Sequence, residues 1–460
     1  MSTENTEPRA IAAVILAAGK GARMRSDLPK MLHPIGGAPM LHHALRAALS
    51  LSPARVAVVV GHGGEAVAEA ARALAPGAAI CAQARQLGTG HAVRMAEAAL
   101  AGFDGDAYVL FGDTPFISPD TLARMRTARA AGADVVALGF EAAEPGAYGR
   151  MVSGPGDVLE RIVEARDASA AELHIRLCNS GLMAVDCATL FQLLARVGNA
   201  NAKGEYYLTD VIGLARAEGL DTRVVRCPEA ETLGINDRVQ LARAEAAFQA
   251  RARRDAMLAG CTMTAPETVF LAWDTVIGRD VTIGPNVVIG PGVAIADGAW
   301  ICAFSHLEQC EIGPGASVGP FARLRGGARI GAGCRIGNFV EMKNVDFGDG
   351  AKASHLTYVG DATVGPRANL GAGTVTCNYD GFAKHRTEIG AGAFIGTNSA
   401  LVAPVRIGDN AYVGTGTVVT RDVPDDALAL ARTPQTNREG FAPRLRETMR
   451  KRAGLKKKQP

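Results

Sequence analysis

Three short stretches of this 460-residue chain hold residue types that could do chemistry on phosphates. In Leu16-Ala17-Ala18-Gly19-Lys20-Gly21-Ala22-Arg23-Met24, small residues let backbone N–H groups approach a triphosphate, and Lys20, Arg23 and Lys30 can offset its charge. A second loop, Gln83-Ala84-Arg85-Gln86-Leu87-Gly88-Thr89-Gly90-His91, leads into a helical stretch. Phe111-Gly112-Asp113 sets a carboxylate at the end of an apolar run. Mg²⁺ favours such an oxygen ligand, with water and substrate phosphates completing its shell. The first loop is neither a G-x-x-x-x-G-K-[ST] nor a G-x-G-x-x-G match, so its meaning rests on the other two. Taken alone, Asp113 also suits the cap of a turn before Thr114-Pro115.

Such loops need a frame. Apolar runs at 12–16, 56–60, 108–111 and 135–140 read as buried strands, with Ala-rich amphipathic stretches such as 65–74 and 92–100 between them. This alternation predicts a parallel α/β sheet, whose ligands bind beyond the carboxyl ends of the strands, where the first loop begins.

The second half has a different grammar. From Ile277, large aliphatic residues recur at Ile283, Ile289, Ile295, Ile301 and Leu307, then from Ile312 through Val318, Leu324, Ile330, Ile336 and Met342. The frame resumes at Phe347, Ala353 and Val359, slips by one to Val364, Leu370 and Thr376, and continues from Ile389 to Val419. A period of six, with glycine so often after the aliphatic residue, fits neither a coiled coil nor an ordinary sheet. It fits stacked triangular coils, three short strands each, with the aliphatic residue inward and glycine easing the change of direction at each corner. The frame breaks at 376–388, where Thr376-Cys377-Asn378-Tyr379-Asp380-Gly381 opens a loop, and loops on a rigid scaffold are where chemistry tends to sit.

Length and makeup bound the rest. The chain is long enough for two or three folding units, and its 48% apolar and 21% charged residues exclude a disordered protein. No wholly apolar run, that at 11–18 included, approaches the roughly 20 residues a membrane helix requires. Glu4 and Glu7 before it and Gly19-Lys20-Gly21 after it separate it from a signal-peptide core. Nine scattered cysteines with no C-x-x-C pair suit a reducing compartment, so a cytoplasmic protein is expected, without a disulfide frame or thiolate zinc site. Residues 441–460 hold eight Arg and Lys against Glu447 alone, which reads as a solvated tail within reach of a phosphorylated ligand.

Together, LAAGKGARM, QLGTGHA, FGD, Tyr148-Gly149-Arg150, the Glu164 segment, Asn179-Ser180-Gly181 and Gly234-Ile235-Asn236-Asp237-Arg238, followed by the hexads, give a specific likeness. Nearly the whole chain resembles the bacterial bifunctional N-acetylglucosamine-1-phosphate uridyltransferase / glucosamine-1-phosphate N-acetyltransferase family. The resemblance implies an α/β Rossmann-like nucleotidyltransferase domain over 1–238, a helical linker over 239–260, a left-handed parallel β-helix (hexapeptide repeat) domain over 261–432 and a basic tail over 433–460.

By that likeness Leu16, Ala17, Ala18, Gly19, Lys30, Gln83, Gly88 and Thr89 would line a uridine nucleotide pocket, and Asp113 and Asn236 would hold Mg²⁺. Gly149, Glu164 and Asn179 would receive the amino sugar, whose hydroxyls and acetamide call for amide and carboxylate partners. In the β-helix, Arg325, Lys343, Tyr358 and Asn369 would bind glucosamine-1-phosphate. Acetyl-CoA would lie near Ala372, Asn378, Tyr379, Thr397, Thr415 and Arg432, the last able to pair with a CoA phosphate. Acetyl transfer to an amine needs a base, and His355 is the expected one, with Glu341 orienting its ring. The likeness also implies a homotrimer with sites between subunits, small-molecule substrates, no nucleic-acid partner and no membrane insertion. Departures are Phe111 where relatives carry tyrosine, Thr397 where serine is common and Gly326 where proline is; none removes a proposed catalytic group. Two other readings compete. One is a nucleotidyltransferase with a non-catalytic trimerising β-helix. The other is a zinc hydratase using His306, His355 and His385, whose spacing forms no compact repeating set.

Overall fold

The structure, a computed structural model, describes residues 9–61 and 63–454; Glu4, Glu7 and the last six residues of the basic tail lie outside the described residues. The chain divides into two compact units, residues 1–258 with 270–275, and residues 259–269 with 276–460.

The first unit is built on a mixed sheet. Its main path runs Thr222–Cys227, Val135–Glu141, Leu177–Asp186, Asp106–Phe111, Ile11–Ala17, Arg55–Gly61, Ala79–Gln83. Ile11–Ala17 is buried at all seven positions because both faces of the sheet are covered: Ala12, Val14 and Leu16 enter one core, Ile11, Ala13, Ile15 and Ala17 the other. The four strands expected from the sequence are present and parallel wherever they neighbour one another. The parallel strands expected from the sequence share the sheet with Leu177–Asp186, which runs antiparallel to both its neighbours on the main path. Its reversed direction carries Asn179 to the rim where the neighbouring strands end, with Asn179 opposite Gly139.

The helix Arg238–Leu258, which takes up most of the stretch expected to link two domains, packs into the first unit: Ala244 and Phe248 join Ile35, Met40, Phe116 and Ile235 in a core. Gln249 grips Leu271 through both ends of its amide, donating to Leu271 O and accepting from Leu271 N at 2.8 and 2.9 Å.

The second unit is a parallel β-helix of three faces. One face is a single ladder of ten strands, from Thr262–Met263 through Arg335–Asn338, Lys352–His355 and Asn369–Leu370 to Leu428–Ala429. The other two faces share Glu341–Phe347 and Tyr358–Val364, which continue across a corner. The stacking is that of the left-handed β-helix that hexapeptide repeats build. Every aliphatic position of the predicted frame from Ile283 to Val419 is buried, the Ile, Leu, Val and Met side chains among them each worth about 1.5–3 kcal/mol. Ile277 is half-buried.

Glycine after the aliphatic residue has another cause than the corner bend expected of it. A Cβ on Gly313, Gly365 or Gly396 would sit 2.5–2.7 Å from backbone of the next coil, so close stacking excludes side chains there. The left-handed turn falls elsewhere in the repeat, on Gly315, Gly333 and Gly350 but also on Asn286, Phe339, Leu356 and Asn398. Asn369 pairs with Phe394, 25 residues on, and the extra length is the loop after Cys377.

Candidate active sites

In the first unit three cavities open at the carboxyl edge of the sheet. One, of about 270 Å³, is lined by Leu16, Ala18, Gly19, Gln83, Gly88, Thr89 and Asp113. A second, of about 810 Å³, takes Ala17, Lys20 and Lys30; a third, of about 360 Å³, takes Thr89, Gly149, Glu164, Asn179 and Asn236. All the residues expected in this domain therefore face one rim of the sheet.

Local structure explains why these residue types stand there. Gly88 has φ +112°, and a Cβ on it would meet Tyr206 O at 2.5 Å, because residues 206–208 run beside the loop. Gly90 N donates to Tyr206 O, Tyr206 N to Leu87 O, and Leu208 N to Thr89 Oγ1. Asn236 reaches Asp113 because Ile235 N donates to Asp113 O at 3.1 Å. Gly181, at φ +92°, lets the strand bulge after Asn179; its N–H donates to Asn179 Oδ1, leaving that amide's nitrogen for a ligand.

Lys30 is 94% buried, and its ammonium donates to Asp113 Oδ2 at 2.6 Å and Asn236 Oδ1 at 2.9 Å. A carboxylate oxygen and an amide oxygen thus converge on one cationic point, the hard-oxygen donor set that Mg²⁺ takes. Among the described residues no three His, Cys, Asp or Glu side chains gather as a metal centre. Two protein oxygens, with water and phosphate for the rest, fit a Mg²⁺–nucleotide.

Sequence reasoning left several residues here without a role. Burial pushes the Glu164 carboxyl above its usual range, countered by Lys203 and by the Thr209 hydroxyl, which donates to Oε1 at 3.3 Å. The buried Arg150 guanidinium donates to the carbonyls of Pro145, Gly146 and Tyr148, fixing the loop that carries Gly149. His91 stood in the quoted QLGTGHA motif, and its contact with Gln83 could be seen only in three dimensions.

In the β-helix, His355 is exposed at the end of Lys352–His355. Its Nδ1 lies 2.6 Å from Asn338 Oδ1. An amide oxygen only accepts, so Nδ1 carries a hydrogen, and in the neutral ring the lone pair is then on Nε2, the form a general base needs. The expectation that Glu341 orients this ring is corrected. Asn338 is the register partner of His355 on one face, whereas Glu341 pairs with Tyr358 on the next and accepts from Arg325 Nε at 2.7 Å.

From His355 one corner descends coil by coil. Gly373 N donates to Leu356 O, Asn398 N to Ala372 O, Gly416 N to Thr397 O, and Arg432 Nη1 to Thr415 O at 2.9 Å. Ala372, Thr397, Thr415 and Arg432 therefore stack below the imidazole. At about 4.8 Å per coil the column from Leu356 to Arg432 spans about 19 Å, enough for an extended pantetheine arm.

Other expected residues do not gather there within one chain. Arg325, Lys343 and Tyr358 share the adjacent face, and Asn369 sits on the face of His355. Asn378 is buried and donates to Asp361, while the Tyr379 hydroxyl closes on Gly381 O at 2.7 Å, both at the next corner round. That corner is cationic: Lys384 stands beside Lys343 and, with Arg325, lowers its pKa, while Asp361 opposes them. Lys384 was not singled out by sequence, because the looped-out segment breaks the frame that would have placed it.

Together, the two units define a fused transferase, a nucleotidyltransferase followed by a hexapeptide-repeat acyltransferase. The MobA-like NTP transferase domain model matches residues 13–177, and the bacterial transferase hexapeptide model matches 274–309, 309–344 and 386–421. A Bifunctional protein GlmU from Dinoroseobacter shibae is 61% identical over 97% of this chain and 99% of its own length. Proteins of the same name from Ruegeria sp. (strain TM1040) and Paracoccus denitrificans are 59% and 58% identical, over 97% and 96% of this chain and 99% of each relative. A solved UDP-glucose pyrophosphorylase complexed with UDP-glucose aligns over 53% of this chain and 99% of that one, at 18% identity and a TM-score of 0.44, a likeness too loose to bear on function. The chain belongs to the GlmU family of bifunctional proteins, and joins nucleotidyltransferase to acetyltransferase activity.

Proposed function

We propose that the β-helix acetylates glucosamine-1-phosphate with acetyl-CoA, and that the first unit then transfers uridylyl from UTP to the N-acetylglucosamine-1-phosphate so made, releasing pyrophosphate. The observation that carries this reading is one imidazole with a free Nε2 at the head of a four-coil edge ending in Arg432, in the same chain as a rim where Lys30, Asp113 and Asn236 converge.

For acetyl transfer, His355 Nε2 takes a proton from the sugar amine as the nitrogen attacks the thioester carbon and the C–S bond breaks. The imidazolium that forms is held through Nδ1–H by Asn338. Arg325, Lys343 and Lys384 offset the sugar phosphate, with Tyr358 and Asn369 contacting the sugar, and Arg432 pairs with CoA phosphate. For uridylyl transfer, a sugar-phosphate oxygen attacks the α-phosphorus of UTP and the bond to pyrophosphate breaks. No side-chain nucleophile is needed; orientation and charge suffice. Gly149, Glu164 and Asn179 hold the sugar, and backbone donors from the loop after Leu16 receive phosphate with Lys20 and Lys30. Asp113 and Asn236 would hold Mg²⁺, which when bound supplies charge stabilisation to the phosphates; Lys30 must then leave the oxygens it holds.

The split of the acetyl-transfer residues between corners supports a homotrimer in which a second copy completes each site. So does the exposed ridge beside His355, where Phe304, Phe321 and Phe339 stack at 5.0 and 5.2 Å and Leu356 follows. Among the described residues no helix is long and apolar enough to cross a membrane, and a cytoplasmic enzyme fits the nucleotide and CoA substrates. The test is a crossed pair of variants in the full chain. Asp113→Ala is expected to abolish pyrophosphate release and spare CoA release, His355→Ala the reverse; loss of both activities in either folded variant would refute separate sites.

A further inference from the structure

Gln83 closes the strand Ala79–Gln83, is 3% exposed and lines the 270 Å³ cavity. Its side-chain amide has only one permitted orientation. Gly88 O can only accept, so Gln83 Nε2 donates to it, at 3.2 Å; the second N–H of the same nitrogen goes to His91 Nδ1 at 3.0 Å. With both hydrogens used, the amide oxygen is the end left for a ligand. His91 must accept at Nδ1, and burial, helped by Arg94, lowers its pKa, which favours the neutral ring. The loop is tied to the segment beside it, Gly90 N donating to Tyr206 O and Tyr206 N to Leu87 O.

We propose that His91, which need touch no ligand, is a positioning residue that sets which pyrimidine this cavity takes, by holding the Gln83 amide with its oxygen toward the base. An acceptor there suits uracil, whose ring N3 is an N–H donor, and opposes cytosine, whose N3 is a lone pair. Turning the amide over to suit cytosine would point its oxygen at Gly88 O and at the His91 Nδ1 lone pair together, two repulsions inside a buried site. Gly88 O supplies one anchor from backbone, which no substitution removes; His91 supplies the other. The inference rests on the uridylyl-transfer reading and adds to it the source of nucleotide choice.

The experiment measures kcat/KM for UTP and for CTP, by pyrophosphate release with N-acetylglucosamine-1-phosphate, in the full-length protein and three variants. His91→Leu removes the acceptor and is expected to narrow the UTP:CTP ratio by about tenfold, the value of one hydrogen bond of ordinary strength. His91→Asn, whose side-chain oxygen falls near the place of Nδ1, is expected to keep the ratio within about threefold of the parent. His91→Gln, equally polar, moves its oxygen toward the place of Nε2 and is expected to narrow the ratio as leucine does. Equal losses on both nucleotides in the leucine and glutamine variants, leaving the ratio intact, would make His91 merely structural and overturn the proposal. So would an asparagine variant no more selective than leucine. A parent protein that turns over neither UTP nor CTP would instead bring down the uridylyl-transfer reading itself.

Discussion

Asn338→Ala tests the acetyl-transfer site at the point where sequence and structure part. The substitution removes the oxygen that receives His355 Nδ1–H at 2.6 Å and leaves the register partners on either side in place. When Nε2 takes a proton the ring becomes cationic, and a hydrogen bond to a charged group contributes about 1.5–3 kcal/mol. His355 is exposed on the single chain, so solvent screening sets the lower end, about 1.5 kcal/mol or roughly tenfold in rate. Loss of aim for the freed imidazole adds to this, and a fall in kcat of about 10- to 30-fold is expected. Release of CoA thiol from acetyl-CoA and glucosamine-1-phosphate reads the effect; pyrophosphate release from UTP in the same preparation, expected to stay within about twofold of the parent, controls for folding. Asn338→Asp keeps an acceptor in place and is expected to retain most of the rate. An alanine variant within about twofold of the parent, or an equal fall in both activities, would refute the assignment of Asn338 as the group that orients the base.

Gly36→Ala is expected to cost the first unit about 2–4 kcal/mol in chemical denaturation. Its φ of +55° is left-handed and its Cβ would fall 2.3–2.8 Å from the Phe248 ring, so strain and overpacking combine; a loss below about 1 kcal/mol would show that the helix Arg238–Leu258 yields there. Glu164→Gln probes the buried carboxyl of the sugar cavity. Burial raises its folded pKa, so the folded protein keeps a proton that the unfolded chain releases in the ordinary glutamate range, and stability falls as pH rises from that range through the raised value. The neutral glutamine is expected to melt above the parent at pH 8 with little difference at pH 4; a gap that fails to widen with pH would refute the argument.

Much of the architecture is legible in the residues alone. The unbroken apolar runs announced strands buried on both faces, and the six-residue period announced the coils, down to the slip at Val364 and the interruption after Thr376. Those signals are local, because a strand or a hexad declares itself within a few residues. The antiparallel strand Leu177–Asp186 was missed for the same reason: direction is a property of pairing, and nothing inside ten residues records it.

The sequence by itself determined which residues carry the chemistry: a small-residue loop with lysines, a carboxylate at a strand end, an imidazole in the repeat. Which of them meet was decided only by tertiary structure. Lys30, Asp113 and Asn236 lie far apart along the chain and converge through a sheet rim, and Asn338 rather than Glu341 holds His355 because neighbours in a β-helix are separated by a whole coil, here 17 or 18 residues. A shift of three positions at that distance moves a side chain to another face, and no local period fixes it, since the register of one coil on the next is set by backbone hydrogen bonding and by the insertions the coils absorb.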